Sequence, residues 1–177
     1  EFRLGENRVQ EAEEKAASLG PDVEWHLVGH LQSNKAARAA ALFHWIHGLD
    51  SQRLARRLSR AAMASGRRLK ALVQVNLAAE PGKSGVAPLQ LPELLAGVRN
   101  LEGVEVRGLM VIPPAGQEYA RASFRRLGEL AHDAMERGLL PQPLELSMGM
   151  SADFEIAIEE GATIVRVGSA LFGRRSP

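Results

Sequence analysis

No cysteine occurs among the 177 residues. That excludes a disulfide scaffold, a thiolate metal site and a cysteine nucleophile together, and it suits a reducing compartment. Long apolar runs are also missing: nothing approaches the roughly 18 to 20 residues that a membrane-spanning helix needs. Residues Glu1 to Gln10 have neither the basic start nor the apolar stretch of a secretory signal. The expectation is a soluble protein of the cytoplasm. An excess of one charge is lacking too, since 22 lysines and arginines face 21 acids for a net charge of +1. No bulk field therefore favours nucleic acid or an anionic membrane. The serines have no His/Asp arrangement that argues for a hydrolytic triad, and no carboxylate pair is placed for glycoside cleavage. What is present is 45% apolar and 24% charged sequence, enough for one globular domain with a sizeable core.

Periodicity divides the chain into repeating strand and helix units. Phe2 to Gly5 reads as a strand, with Arg8 to Ser18 as a helix ending at Gly20-Pro21. Glu24 to Val28 pairs with a helix over Ser33 to Leu42, and His44 to Gly48 with one over Ser51 to Ser65. Leu69 to Leu77 is the most strand-like run and precedes the helix Leu89 to Val98. Val104 to Met110 leads into a long helix from Gln117 to Arg137, and Pro143 to Ser147 into one from Asp153 to Glu160. Thr163 to Val167 and a short segment, Ser169 to Phe172, close the series. Such alternation implies right-handed crossovers and a parallel sheet, open and doubly wound or closed into a (β/α)8 barrel. Seven units are one short of a barrel, and barrels start at about 200 residues. A single domain over 1–177 is expected, because no repeat or linker marks a second.

In parallel α/β folds, ligands sit at the carboxyl ends of the strands. Several of those junctions are polar and glycine-rich: Gly5-Glu6-Asn7, Gly29 to Lys35, Gly82-Lys83-Ser84-Gly85, Ser147 to Ser151 and Arg166 to Ser169. Gly168-Ser169 marks a passage from strand to helix, where unpaired N–H groups favour a phosphate, and Ser147 to Ser151 offers a second such place. The same residues also serve as ordinary capping, Ser151 as N-cap and Gly168 as a tight turn, and both readings stand. Arg166 interrupts the apolar run Ile164 to Val167 and shares a strand face with Ile164. A guanidinium buried there requires a partner, either a ligand or an internal acid. His26 and His30 are four apart but span a strand end and a loop, which argues against a metal site. Arg53, Arg56, Arg57 and Arg60 form a basic stripe opposite Leu54 and Leu58, read as a solvated helix face rather than an RNA-binding patch.

These junctions carry a resemblance. Gly5-Glu6-Asn7-Arg8-Val9-Gln10-Glu11, Trp25-His26 through Gly29, Leu31-Gln32-Ser33-Asn34-Lys35, Val75-Asn76 through Lys83-Ser84-Gly85, Gly108-Leu109-Met110, Leu146 to Ser151 and Val165-Arg166-Val167-Gly168 are similar to motifs of the pyridoxal phosphate homeostasis protein family. The resemblance runs from first residue to last. It implies a (β/α)8 TIM barrel of the alanine racemase type that binds pyridoxal 5′-phosphate as a Schiff base on a lysine. It also implies a non-catalytic carrier in vitamin B6 homeostasis, with a racemase-like enzyme as the alternative. By resemblance, Ser147, Gly168 and Ser169 hold the cofactor phosphate, Arg166 faces the pyridine nitrogen and Asn7 lies beside the ring. Lys35 and Lys83 stand near the barrel mouth. Pyridoxal phosphate-dependent apoenzymes are the implied partners, and a monomer or weak dimer is expected.

One departure from the pattern is plain. The family's Schiff-base lysine lies on the first barrel strand, ahead of the Gly-Glu-Asn motif, and none of Lys15, Lys35, Lys70 and Lys83 occupies that position. The chain thus reads as strands two to eight, with the cofactor lysine expected upstream of Glu1. Racemisation further needs an acid/base group on each ring face, and the sole tyrosine, Tyr119, lies on the outer-helix side.

Overall fold

A computed structural model describes residues 2–78, 82–114 and 116–173. The expected alternation is present throughout. Strands β1 (Phe2–Glu6), β2 (Val23–Leu27), β3 (Trp45–Leu49), β4 (Leu69–Gln74), β5 (Val104–Met110), β6 (Glu145–Met150) and β7 (Ile164–Arg166) alternate with seven helices. These are α1 (Val9–Leu19), α2 (Ala36–Leu42), α3 (Gln52–Ala64), α4 (Leu91–Val98), α5 (Gln117–Glu136), α6 (Phe154–Glu159) and α7 (Ser169–Phe172). Every strand pairing is parallel, and the order in the sheet is the order in the chain.

That order decides between the two architectures. A doubly wound sheet reverses direction at a switch point so that helices cover both faces. Here each right-handed crossover steps the same way, so all helices fall on one face and the other face must cover itself by curling. A contact across the sheet measures that curl. His47 on β3 lies 2.8 Å from Ser147 on β6, whereas three strand spacings on a flat sheet would hold them about 14 Å apart. The wall is therefore that of a (β/α)8-type barrel, with β1 and β7 as its two edges.

The large apolar core lies between strands and helices. On α3, Leu54, Ala55, Leu58 and Ala62 are buried at helical spacing while Arg53, Arg56, Arg57 and Arg60 face solvent, as the stripe suggested. Ser51 caps that helix, its hydroxyl accepting from the Leu54 N–H at 3.3 Å. On α5 the buried positions Ala120, Phe124, Leu127, Ala131 and Ala134 repeat the pattern. Inside the barrel the apolar cluster is small: Trp45, Leu72 and Met110, with Ile164 packed against them. The rest of the interior is polar, because Glu24, His26, His47, Ser147 and Arg166 sit at the alternate positions of their strands. No helix among the described residues is long and apolar enough to cross a membrane.

Candidate functional site

Arg166 ends β7 with its side chain turned inward, on the face it shares with Ile164. Its Nη1 donates to the Ser147 hydroxyl at 2.6 Å and its Nη2 to the Val111 carbonyl at 2.9 Å. These acceptors are neutral, so the internal ion pair weighed as the plain alternative is not what holds it. Burial pushes the guanidinium down to about 10, with Asp153 pulling the other way. The group remains a cation, and so a donor, at neutral pH.

Ser147 is fully buried on β6. It sits beneath Arg166 rather than at the strand-end loop. The serine that meets the Gly168 turn is Ser151, whose hydroxyl accepts from the Gly168 N–H at 3.3 Å and the Ala170 N–H at 3.2 Å. Ser151 is not the N-cap of α6. That position is Asp153, whose Oδ1 accepts from the Met150 N–H at 2.6 Å. Ser169 opens α7 and is exposed beside this turn.

Asn7 lies apart from these residues, just beyond β1 on the opposite edge of the sheet. It lines a hollow of about 290 Å³ with Gly29, Gln74, Asn76, Lys83 and Pro113. A second hollow of about 360 Å³ next to it is lined by Asn7, Arg8, Gln10, His30 and Lys35. Gly29 makes the first possible: a Cβ there would fall 2.3 Å from the Asn7 carbonyl oxygen. Lys35 Nζ donates to Gln10 Oε1 at 3.4 Å. His30 is exposed and faces Asp50 at 3.4 Å, while His26 points into the barrel, so the two histidines diverge.

Two buried residues extend the site beyond its expected membership. His47 Nδ1 is 2.8 Å from the Ser147 hydroxyl, and its Nε2 is 2.9 Å from His26 Nδ1. His26 stacks on Trp45 with ring centroids 5.5 Å apart. Burial lowers His26 to about 4 and His47 well below its ordinary value, so both rings are neutral at pH 7. The signal for them was strand alternation: Glu24 and His26 on β2, and Trp45 and His47 on β3, each place polar or polar-tipped groups on one face.

The family model described as alanine racemase, N-terminal domain, matches residues 3–176. The chain is 46% identical over 175 residues to the pyridoxal phosphate homeostasis protein of Pseudomonas aeruginosa, covering 97% of this chain and 74% of that one. PipY of Synechococcus elongatus, solved with PLP bound, is 45% identical with a TM-score of 0.89, covering 98% of this chain and 82% of that one. Alanine racemase of Clostridium difficile is 15% identical with a TM-score of 0.78 over 99% of this chain and 46% of that one, a likeness of fold.

Proposed function

The chain belongs to the pyridoxal phosphate homeostasis protein family, and from that premise we propose that it binds pyridoxal 5′-phosphate at the carboxyl ends of its strands as a non-catalytic carrier. The cofactor supplies an aldehyde and an electron-withdrawing pyridine ring. The observation that carries the proposal is the Arg166 guanidinium, pinned by Ser147 and Val111 at a strand end. Guanidinium groups donate and do not accept. Facing the pyridine nitrogen, Arg166 holds that atom as a hydrogen-bond acceptor without a proton, which weakens the ring as an electron sink and favours storage over turnover.

The phosphate fits the neighbouring turn, where the Gly168 and Ala170 N–H groups already converge on one oxygen, that of Ser151. Gly168 leaves the approach open, because a Cβ there would meet nothing within 4 Å. Ser169 flanks the phosphate, Ser147 reaches the ligand only through Arg166 at the ring nitrogen, and Asn7 borders the ring from the hollow at the other sheet edge. Tyr119 stands 54% exposed on the outer helix α5, remote from the interior, so it supplies no second acid/base group. A cytoplasmic store that yields cofactor to pyridoxal phosphate-dependent apoenzymes is the setting this reading implies.

Equilibrium dialysis tests it. Pyridoxal phosphate should bind saturably, inorganic phosphate should compete, and Arg166→Lys should weaken binding by about tenfold through loss of the forked donor. Absence of saturable binding to the wild-type chain would overturn the proposal.

A further inference from the structure

A chain of polar groups crosses the barrel interior from Arg166 at its mouth to Glu24 near the opposite end. In order it runs Arg166 Nη1 to Ser147 Oγ at 2.6 Å, Ser147 Oγ to His47 Nδ1 at 2.8 Å and His47 Nε2 to His26 Nδ1 at 2.9 Å. His26 Nε2 then faces Glu24 Oε1 at 3.6 Å. Four strands contribute, β7, β6, β3 and β2. Glu24 also accepts from the Trp45 indole N–H.

Proton counting fixes the direction of this chain. A neutral imidazole carries one proton, and the His47–His26 contact needs one donor and one acceptor. Only two arrangements satisfy that contact. In the first, both rings carry the proton on Nδ1. His47 then donates to a Ser147 oxygen that already accepts from Arg166, and a bare His26 Nε2 faces the Glu24 carboxylate, lone pair against anion. In the second, both carry it on Nε2. Ser147 accepts from Arg166 and donates to His47 Nδ1, His47 donates to His26 Nδ1, and His26 N–H points at Glu24. Every contact is then donor to acceptor. The buried His26 Nε2 has no hydrogen-bond partner within normal range among the described residues, so only the second arrangement gives it an electrostatic one. The other charged or titratable groups around the rings are Arg3, His44 and Lys70 near His26, and Arg166 near His47. With two cations and Arg166 surrounding them, the rings have no reason to take a second proton.

We propose that His47 and His26 form a one-directional hydrogen-bond relay across the barrel that keeps Ser147 as an acceptor toward Arg166 and so orients the guanidinium, making His47 a positioning residue for the ligand's ring nitrogen. The ring-nitrogen half rests on pyridoxal phosphate being the ligand. The consequence is specific. If Ser147 turned its proton toward Arg166, two donors would meet and the guanidinium would have to swing off its seat. His47 prevents this by offering the Ser147 hydroxyl an acceptor, its Nδ1, 2.8 Å away.

Long-range nitrogen–proton NMR of the histidine-labelled chain reads the relay directly. Both His26 and His47 should be Nε2–H tautomers at pH 7, and an Nδ1–H signal from either overturns the relay. Binding then tests the positioning with two probes, pyridoxal phosphate and its analogue with carbon in place of the ring nitrogen. The wild type should prefer pyridoxal phosphate by about tenfold, the size expected of one charge-assisted hydrogen bond. His47→Gln keeps an acceptor and a donor and should retain that preference. His47→Leu should lose it, falling below about twofold, and a retained preference refutes the positioning role. Should His47→Leu fail to fold, His47→Ala takes its place, and a retained preference in that variant refutes the positioning role equally. A wild type that binds neither probe removes the cofactor reading and the positioning role with it, while the tautomer signals still decide the relay.

Discussion

His47 Nδ1 lies 2.8 Å from the Ser147 hydroxyl although the two residues are 100 positions apart in the chain. The contact joins β3 to β6 across the barrel and places a neutral imidazole beneath the group that anchors Arg166. Buried polar atoms destabilise unless each finds a partner. The relay meets that condition by hydrogen bonds except at His26 Nε2, which has only the Glu24 carboxylate 3.6 Å away, and its two imidazoles make its stability depend on pH.

Stability should fall in mild acid. The folded-state value of His26 is lowered to about 4, and that of His47 is also lowered, both chiefly by burial. An unfolded histidine titrates near 6.5. Between those values the unfolded chain binds more protons than the folded one, so stability rises with pH there and is lost as pH falls. His26 alone is expected to remove about 3 kcal/mol between pH 6.5 and 4. Urea unfolding across that range measures it, and His26→Gln should flatten the profile. A wild-type profile that is level from pH 7 to 4.5 would refute neutral burial of both rings.

The seven units were legible in the sequence because short strand-like runs such as Leu69–Gln74 and Val104–Met110 alternate with helices that carry an apolar stripe, as on α3 and α5. Arg166 stood out because a charge inside Ile164 to Val167 has no neighbour in sequence that could pair with it. Ser147 and Ser151 could not be told apart from sequence alone. They are four residues apart, both polar and both near a strand end, and what separates them is where β6 stops: Ser147 lies within the strand and is buried, while Ser151 lies just past Met150 at the Gly168 turn. The His26–His47 pair was hidden for a different reason. Its members lie on neighbouring strands but 21 residues apart, its partner Ser147 lies 100 residues from His47, and the nearer pair, His26 and His30, drew the metal question instead. Barrel closure itself depends on such cross-sheet contacts, which periodicity does not encode.

The two serines should separate cleanly by mutation. Ser147→Ala strips an acceptor from Arg166 and a donor from His47 in a site with no solvent access, and should cost about 1 to 3 kcal/mol. Ser151→Ala frees the N–H groups of Gly168 and Ala170, both exposed, so water replaces the hydroxyl and stability should change by less than about 0.5 kcal/mol. Binding should follow a different order, because Ser151 sits where the phosphate is proposed to lie. Pyridoxal phosphate affinity should drop in Ser151→Ala at nearly unchanged unfolding midpoint. Equal stability losses in the two variants would contradict the placement of both side chains.

Gly29 controls where Asn7 can stand. The chain leaves β1 and β2 side by side, with the Val28 N–H donating to the Glu6 carbonyl at 2.9 Å. Just beyond, a Cβ on Gly29 would lie 2.3 Å from the Asn7 carbonyl oxygen and 2.9 Å from its Cα. These are backbone atoms and cannot rotate away, so Gly29→Ala must displace the Asn7 loop. Overpacking of this kind costs about 1 to 3 kcal/mol, and each kcal/mol lowers Tm by about 2 to 4 °C in a domain of this size. Asn7→Ala, by contrast, trims an exposed side chain and should leave Tm within about 2 °C. If Asn7 borders the ligand, both variants weaken pyridoxal phosphate binding, but only Gly29→Ala melts earlier. Calorimetry beside dialysis separates the two effects, and an Asn7→Ala variant that binds as tightly as the wild type removes Asn7 from the site.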